Sequence, residues 1–111
     1  MATQGHAETP SEATTSDVRC LVVSLNLADS ADESIRRAAL VSFQYFLGRL
    51  DGREPQLDLE QRLTAEVLRM SDEELRAQAT VCGDMLVRRG REVGAIGRRI
   101  EDRGRANQGG A

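Results

Sequence analysis

The fold of this chain is decided by the stretch Asp17-Val18-Arg19-Cys20-Leu21-Val22-Val23-Ser24-Leu25-Asn26-Leu27-Ala28. Its apolar side chains recur at helical spacing and occupy nearly the whole circumference of the predicted helix. Ser16 is placed to act as the N-cap, and Asp17 lies at the positive end of the helix dipole. Because a helix that is apolar all round must be covered on every side, we predict that it lies at the centre of the fold.

Three further helices follow from the same period. Capping-box patterns at residues 30–33 and 71–74 begin the second and fourth helices, and Asp58 begins the third. The connections are short, which favours antiparallel neighbours. We therefore predict an all-α fold, a bundle of four helices, or of five if the long last helix breaks near Gly90.

The length of 111 residues allows one domain. Residues 1–16 and 105–111 are too polar to offset the entropy of ordering them. We predict a disordered N-terminal tail over 1–16, a helical domain over 17–104 and a disordered C-terminal tail over 105–111.

The two cysteines, Cys20 and Cys82, each lie on an apolar face of a predicted core helix. Three interpretations are open: a structural disulfide, two buried free thiols, or a redox switch. We favour the disulfide, which would join the first and last helices and stabilise the fold by roughly 4 kcal/mol through a closed loop of about 60 residues. A metal site is not expected, because there is no CxxC motif and the only histidine is His6.

The disulfide favours a periplasmic or secreted protein, since disulfides persist in oxidising compartments. No run of apolar residues is long enough to span a membrane, and residues 1–16 contain no signal peptide. Either a signal peptide has been removed, which we favour, or the protein is cytoplasmic.

Charge is unevenly distributed along the chain. The net charge of −3 argues against nucleic acid as a partner. Between Leu86 and Arg105, however, seven arginines face three acidic residues, so a basic last helix follows an acidic body. This helix either complements its own dipole and docks on the body, or binds an anionic partner.

Several residues are candidates for contact with another protein. The glycines of the last helix predict either close packing against a neighbouring helix or a self-association seam. The single tyrosine is either a half-buried rim residue or an exposed interface residue. The candidate interaction residues are Tyr45, Arg88, Arg89, Gly90, Arg91, Gly94 and Gly97.

No motif indicates catalysis. One histidine in a tail cannot complete a Ser-His-Asp set, and no phosphate-binding glycine loop is present. We therefore expect a protein that is not an enzyme and that uses no cofactor, with proteins as its partners, either unfolded clients or a second copy.

The chain resembles a group of small exported bacterial helical proteins with two cysteines, and in outline the HdeA-type periplasmic acid-stress chaperones. The resemblance covers residues 17–100 and is carried by the segments 17–21 and 45–50, by Cys82 in a late helix and by Ile96-Gly97 near the end. It implies a periplasmic protein that binds unfolded clients through apolar surface exposed when acid loosens the fold.

Overall fold

A computed structural model describes residues 10–109, which form four α-helices and contain no strand. The helices are α1 (Pro10–Leu27), α2 (Glu33–Arg53), α3 (Leu59–Arg69) and α4 (Asp72–Gly109). The all-α prediction with four helices is confirmed. The five-helix alternative is wrong, because α4 continues past Gly90 without a break.

The two ends of the helical region differ from the prediction. Helix α1 begins at Pro10, so Ser16 is not its N-cap and residues 10–16 are helical. A proline is tolerated in the first turn, because a backbone N–H at that position would have no acceptor within the helix. Helix α4 extends to Gly109, past the predicted end at residue 104. The remainder of the two predicted tails, residues 1–9 and 110–111, lies outside the described residues.

The start of α2 is capped by Asp32 and not by the predicted Ser30. The Asp32 carboxylate accepts hydrogen bonds from the backbone N–H groups of Ser34 at 2.9 Å and Ile35 at 3.3 Å. The hydrogen bond from the Ser34 hydroxyl at 2.7 Å, and then these two backbone hydrogen bonds, lower the pKa of Asp32. Ser30 lies outside the helix, and its hydroxyl accepts from the backbone N–H of Asp32 at 3.1 Å.

The predicted starts of α3 and α4 are confirmed. Asp58 accepts from the backbone N–H of Gln61 at 3.1 Å. At the start of α4, Glu74 accepts from the backbone N–H of Ser71 at 2.9 Å, while the Ser71 hydroxyl accepts from the N–H of Glu74 at 3.1 Å. This reciprocal pair is a complete capping box.

The chain divides into two compact units, one that ends at Thr80 and one that begins at Val81. The first unit holds α1, α2, α3 and the first turns of α4. The second unit is the rest of α4. The region predicted as a single helical domain, 17–104, thus contains parts of both units, and each is described by itself.

Helix α1 is the centre of the first unit, as predicted. It packs against α2 and α3. From Val18 to Ser24 every side chain but that of Arg19 is buried, so α1 is covered nearly all round. Helix α2 buries a stripe at helical spacing that includes Ala39, Phe46 and Leu50. The core is therefore made mainly of aliphatic side chains around one helix.

We expect Leu21→Ala to lower the free energy of unfolding by about 2–5 kcal/mol, because it removes fully buried methyl groups and leaves a cavity. Leu68→Ala is the matched control, since Leu68 is 82% exposed. It should change stability by no more than about 0.5 kcal/mol. Urea unfolding monitored by circular dichroism measures both, and equal losses would contradict the assigned core.

Candidate functional site

A disulfide joins Cys20 of α1 to Cys82 of α4. Both half-cystines are buried. Gln78, one turn before Cys82, places its amide nitrogen 3.2 Å from the Ser16 hydroxyl and 3.5 Å from Cys20 Sγ. The favoured interpretation of the two cysteines is confirmed, and the free-thiol interpretation is wrong. The first and last helices are covalently joined.

A fully buried carboxylate lies on α1 three residues before Cys20. Asp17 accepts hydrogen bonds from Arg49 Nε, 3.1 Å from both carboxylate oxygens, and from Arg53 Nη2 at 2.8 Å. Both arginines belong to α2. Thr14 and Glu54 hydrogen bond beside this cluster. Asp17 was predicted to serve the helix dipole, but α1 begins a turn and more earlier, and its role is an ion pair between α1 and α2.

A second buried carboxylate lies between α1 and α3. Glu66 of α3 accepts from Arg19 Nε of α1 at 2.7 Å, and Arg69 Nη1 lies 3.5 Å from its other oxygen. The side chain of Glu66 is only 3% exposed. The contact of α1 with α2 and its contact with α3 therefore each contain a buried carboxylate with two arginines.

The two ion-pair clusters make the packing of α1 depend on ionised carboxylates. A buried ion pair contributes little net stability compared with apolar packing, but removing one partner costs about 3–5 kcal/mol, because the other charge stays buried. Arginine remains protonated at any accessible pH, so only the carboxylates can lose their charge. No histidine occurs in the described residues 10–109.

The side chain of Tyr45 is half-buried, as the rim interpretation predicts. Its ring packs edge-on against Phe46, with centroids 4.9 Å apart and an interplanar angle of 82°. The Arg49 guanidinium carbon lies 5.8 Å from the Tyr45 centroid. Burial alone would lower the pKa of Arg49, but its hydrogen bonds and charge interaction with Asp17, helped by Tyr45, raise that pKa overall. Tyr45 thus supports the Asp17 cluster.

The three candidate arginines of α4 are all exposed. Arg89 Nη1 lies 3.1 Å from Glu92 Oε1, whereas Arg88 and Arg91 are exposed on the same two turns. This region is basic, as the sequence predicts: residues 81–111 hold seven arginines and four acidic residues, and residues 1–80 hold eight and fourteen.

The glycines of α4 lie on an open surface. A Cβ built at Gly90 or Gly97 would meet no atom within 4 Å, and one at Gly94 would meet Arg98 Nη1 of the same helix at 3.6 Å. No described residue therefore comes close enough to require glycine at these positions.

A regular spacing of these glycines was missed in the sequence analysis. Gly83, Gly90, Gly97 and Gly104 follow one another at intervals of seven residues. Seven residues make nearly two helical turns, so the four glycines form one line along α4. Leu86, Val93 and Ile100 repeat at the same interval and form an apolar line beside it. The low helix propensity of glycine predicts a break in α4, whereas the seven-residue period of these glycines is typical of one face of a continuous helix.

Apolar surface is exposed in both units. In the first unit, Leu25 and Leu40 are exposed and, with Ala28 and Phe43, line an apolar cavity of about 210 Å³ between α1 and α2. In the second unit, Val87, Val93, Ile96 and Ile100 are exposed. So many exposed branched side chains are typical of a protein-binding surface.

Residues 10–109 contain no group of three or more His, Cys, Asp or Glu side chains that could hold a metal ion. No helix in that range is both long enough and apolar enough to cross a membrane.

Comparison of the chain with protein-family models, with curated proteins and with solved structures finds no match. The resemblance to acid-stress chaperones remains a prediction.

Replacement of both cysteines, Cys20→Ala with Cys82→Ala, should lower the free energy of unfolding by roughly 4 kcal/mol, because the unfolded chain regains the freedom of a loop of about 60 residues. Reduction of the native protein should lower stability by a similar amount. Alkylation before and after reduction counts the thiols. A native protein that reacts with two equivalents of reagent before reduction would contradict the disulfide.

The Ser71–Glu74 capping box predicts a pH dependence. The backbone hydrogen bond from Ser71, and then its side chain, lower the pKa of Glu74 below the usual 4.5. A lowered folded-state pKa contributes stability above pH 4.5, and this contribution is lost as pH falls through the folded value. Glu74→Gln should therefore destabilise the protein at neutral pH and lose its effect in acid. Glu73→Gln, in the same turn, is the control, and a Glu74→Gln effect independent of pH would contradict the cap.

Proposed function

We propose that this chain is a non-enzymatic periplasmic or secreted protein that binds other protein chains through apolar surface, and binds them more strongly in acid. The observation that carries the proposal is the pair of buried carboxylates, Asp17 and Glu66, at the contacts of α1 with α2 and α3. The role corresponds to the chaperone-like one that the resemblance implies.

The effect of acid follows from the charges that surround the two carboxylates. Arg49 and Arg53 face Asp17 from α2, with Glu54 beside them. If Asp17 is protonated, two half-buried cations lose their anion and repel each other. The contact between α1 and α2 should then loosen, because an uncompensated charge is costly away from water.

The Glu66 cluster responds in the same direction. Arg19 from α1 and Arg69 from α3 face it, and Glu74 of α4 interacts with both of these arginines. Protonation of Glu66 and Glu74 leaves the two cations together. The contact between α1 and α3 is weakened at the same time as that between α1 and α2.

Loosening of α1 would add surface to what is exposed at neutral pH. Leu21 of α1 and Phe46 of α2 are fully buried. Their exposure would extend the apolar area around Leu25 and Leu40, which already lines a cavity. The disulfide keeps α1 tied to α4 throughout, which favours return to the native state when the pH rises.

The compartment is part of the proposal. The disulfide is compatible with an oxidising environment. A periplasm or an extracellular medium can also become acidic, so a protein whose packing depends on two carboxylates would meet the condition that activates it.

The test compares the native protein with a variant that carries Asp17→Asn and Glu66→Gln, which removes both charges at every pH. ANS fluorescence and suppression of aggregation of an acid-denatured model enzyme are measured at pH 7 and near pH 3. We expect both signals to rise in acid for the native protein and to be already high at pH 7 for the variant, because the half-buried Arg19, Arg49 and Arg53 lack their anions.

The matched control carries Asp51→Asn and Glu60→Gln, which remove two exposed carboxylates from the same helices, α2 and α3. It should behave like the native protein at both pH values. A native protein whose ANS binding and aggregation suppression do not increase between pH 7 and pH 3 contradicts the proposed function.

A second candidate function is supported by a separate observation. The second unit exposes Val87, Val93, Ile96 and Ile100 on a basic helix that contains a line of glycines. We propose as the alternative that the chain is a protein interaction module, or a homodimer, that uses residues 81–109 as its contact surface, with Arg88, Arg89 and Arg91 at the start of it.

A further inference from the structure

One face of α4 in the second unit is apolar and exposed over several turns. Leu86 is half-buried, whereas Val93 and Ile100, at the following heptad positions, are 55% and 61% exposed. Ile96 and Val87 lie on either side of this line and are also exposed. A single helix that exposes such a stripe in water is typical of one that packs against another helix.

The glycine line makes this face shallow. At 100° per residue, the line through Gly83, Gly90, Gly97 and Gly104 lies about 60° from the apolar line. A Cβ at any of the four would meet nothing within 4 Å. A partner helix can therefore approach the backbone of α4 closely along one side of the apolar stripe.

Arginines border the face on both sides. Arg91, Arg98 and Arg105 repeat at intervals of seven and lie about 100° from the glycine line on one side. Arg89 and Arg103 lie on the other side, next to the apolar line. All five are exposed. Acidic side chains share these edges: Asp84 begins the line of Arg91, and Glu92, Glu101 and Asp102 pair with Arg89 and Arg105. Because seven arginines stand against four acidic residues in 81–109, the surroundings of the face carry a net positive charge.

The charges decide between the possible occupants. Pairing with the same helix of a second copy would bring together two segments that each hold seven arginines and four acidic residues, and like net charges at an interface oppose association. An anionic bilayer would favour the arginines, but interfacial helices insert large aromatic side chains, and residues 81–109 contain no Phe, Tyr or Trp. The line of glycines also gives no advantage on a bilayer.

We propose that the face of α4 formed by Leu86, Val93, Ile96 and Ile100 docks an acidic amphipathic helix of another protein. The partner helix would place its apolar stripe on these side chains and its Asp and Glu residues along the two arginine borders. The proposal rests on the second candidate function and names the class of partner for it.

The test uses two synthetic helical peptides of the same length as residues 81–109. Both carry one Leu/Ala stripe, and their flanking positions are Glu in one peptide and Lys in the other. Binding of each to the full-length protein is followed by fluorescence anisotropy. We expect the Glu peptide to bind at least about tenfold more tightly than the Lys peptide, because the charged edges are complementary in only one of them.

Two variants and two matched controls locate the binding. Arg91→Glu with Arg98→Glu should reverse the peptide preference, and Val93→Ser should weaken binding of the Glu peptide. Arg37→Glu with Arg76→Glu makes the same change of charge at exposed positions of the first unit, and Val41→Ser makes the same substitution at a side chain that is 61% exposed on α2. Both controls should bind as the native protein does.

The contrary outcomes are distinct. Equal binding of the two peptides, or binding that the control variants weaken as much, overturns the proposal. Stronger binding to phosphatidylglycerol vesicles than to the Glu peptide overturns it in favour of a membrane surface. Self-association in sedimentation that Val93→Ser abolishes, without peptide binding, overturns the acidic partner but keeps the interaction function. A protein that stays monomeric and binds neither the peptides nor the vesicles overturns both the acidic partner and the interaction function.

Discussion

Burial of α1 on nearly every side is the constraint on which the rest of the structure depends. A helix whose side chains are covered from Val18 to Ser24 needs neighbours around it, and the short chain supplies them from α2, α3 and the start of α4. The one half-exposed side chain in that stretch, Arg19, reaches Glu66 of α3. Helix α1 carries the half-cystine Cys20 and the buried Asp17, and its Leu25 lines the apolar cavity.

The core around α1 also contains polar and charged side chains of this helix, among them Asp17 and Ser24. Ser24 and Ser42 hydrogen bond across the contact with α2 at 2.8 Å, and Ser24 also lies 2.9 Å from the carbonyl oxygen of Cys20. These neutral pairs are unaffected by pH. The ion pairs of Asp17 and Glu66 are different, because each joins a buried carboxylate to arginine side chains. The contacts of α1 thus combine neutral hydrogen bonds with ion pairs.

Local chemistry explains what could be predicted from the sequence. The period of residues 17–28 was sufficient to place α1 at the centre, and the Ser71–Glu74 box was correct because both its partners lie within one turn. The pairing of Cys20 with Cys82 followed from there being two cysteines on two core helices. The early start of α1 could not be derived in this way, since Thr14 is buried through a hydrogen bond to Glu54, forty residues away.

The difference between local contacts and contacts of residues far apart in the chain also explains which roles of the site residues could be predicted. Asp17 has the same local signature as a dipole-stabilising residue, and only the position of α2 shows that it pairs with Arg49 and Arg53. Ser30 and Asp32 are both good N-caps, and nothing in the local sequence decides between them. The glycines of α4 predicted a break from their helix propensity, whereas their seven-residue period, a longer-range pattern, corresponds to a continuous helix with one smooth face.

The disulfide gives the chain the topology of a ring with two arms. The ring runs from Cys20 to Cys82 and encloses α2 and α3, while α1 before Cys20 and α4 beyond Cys82 are linear. A pulling force applied to the two ends of the chain would pass through the sulfur–sulfur bond and bypass the ring. The helices α2 and α3 are thereby shielded from tension, and only the arms can be stretched. The exposed basic part of α4 lies on an arm, so tension on a bound partner would reach that helix before any residue enclosed by the ring.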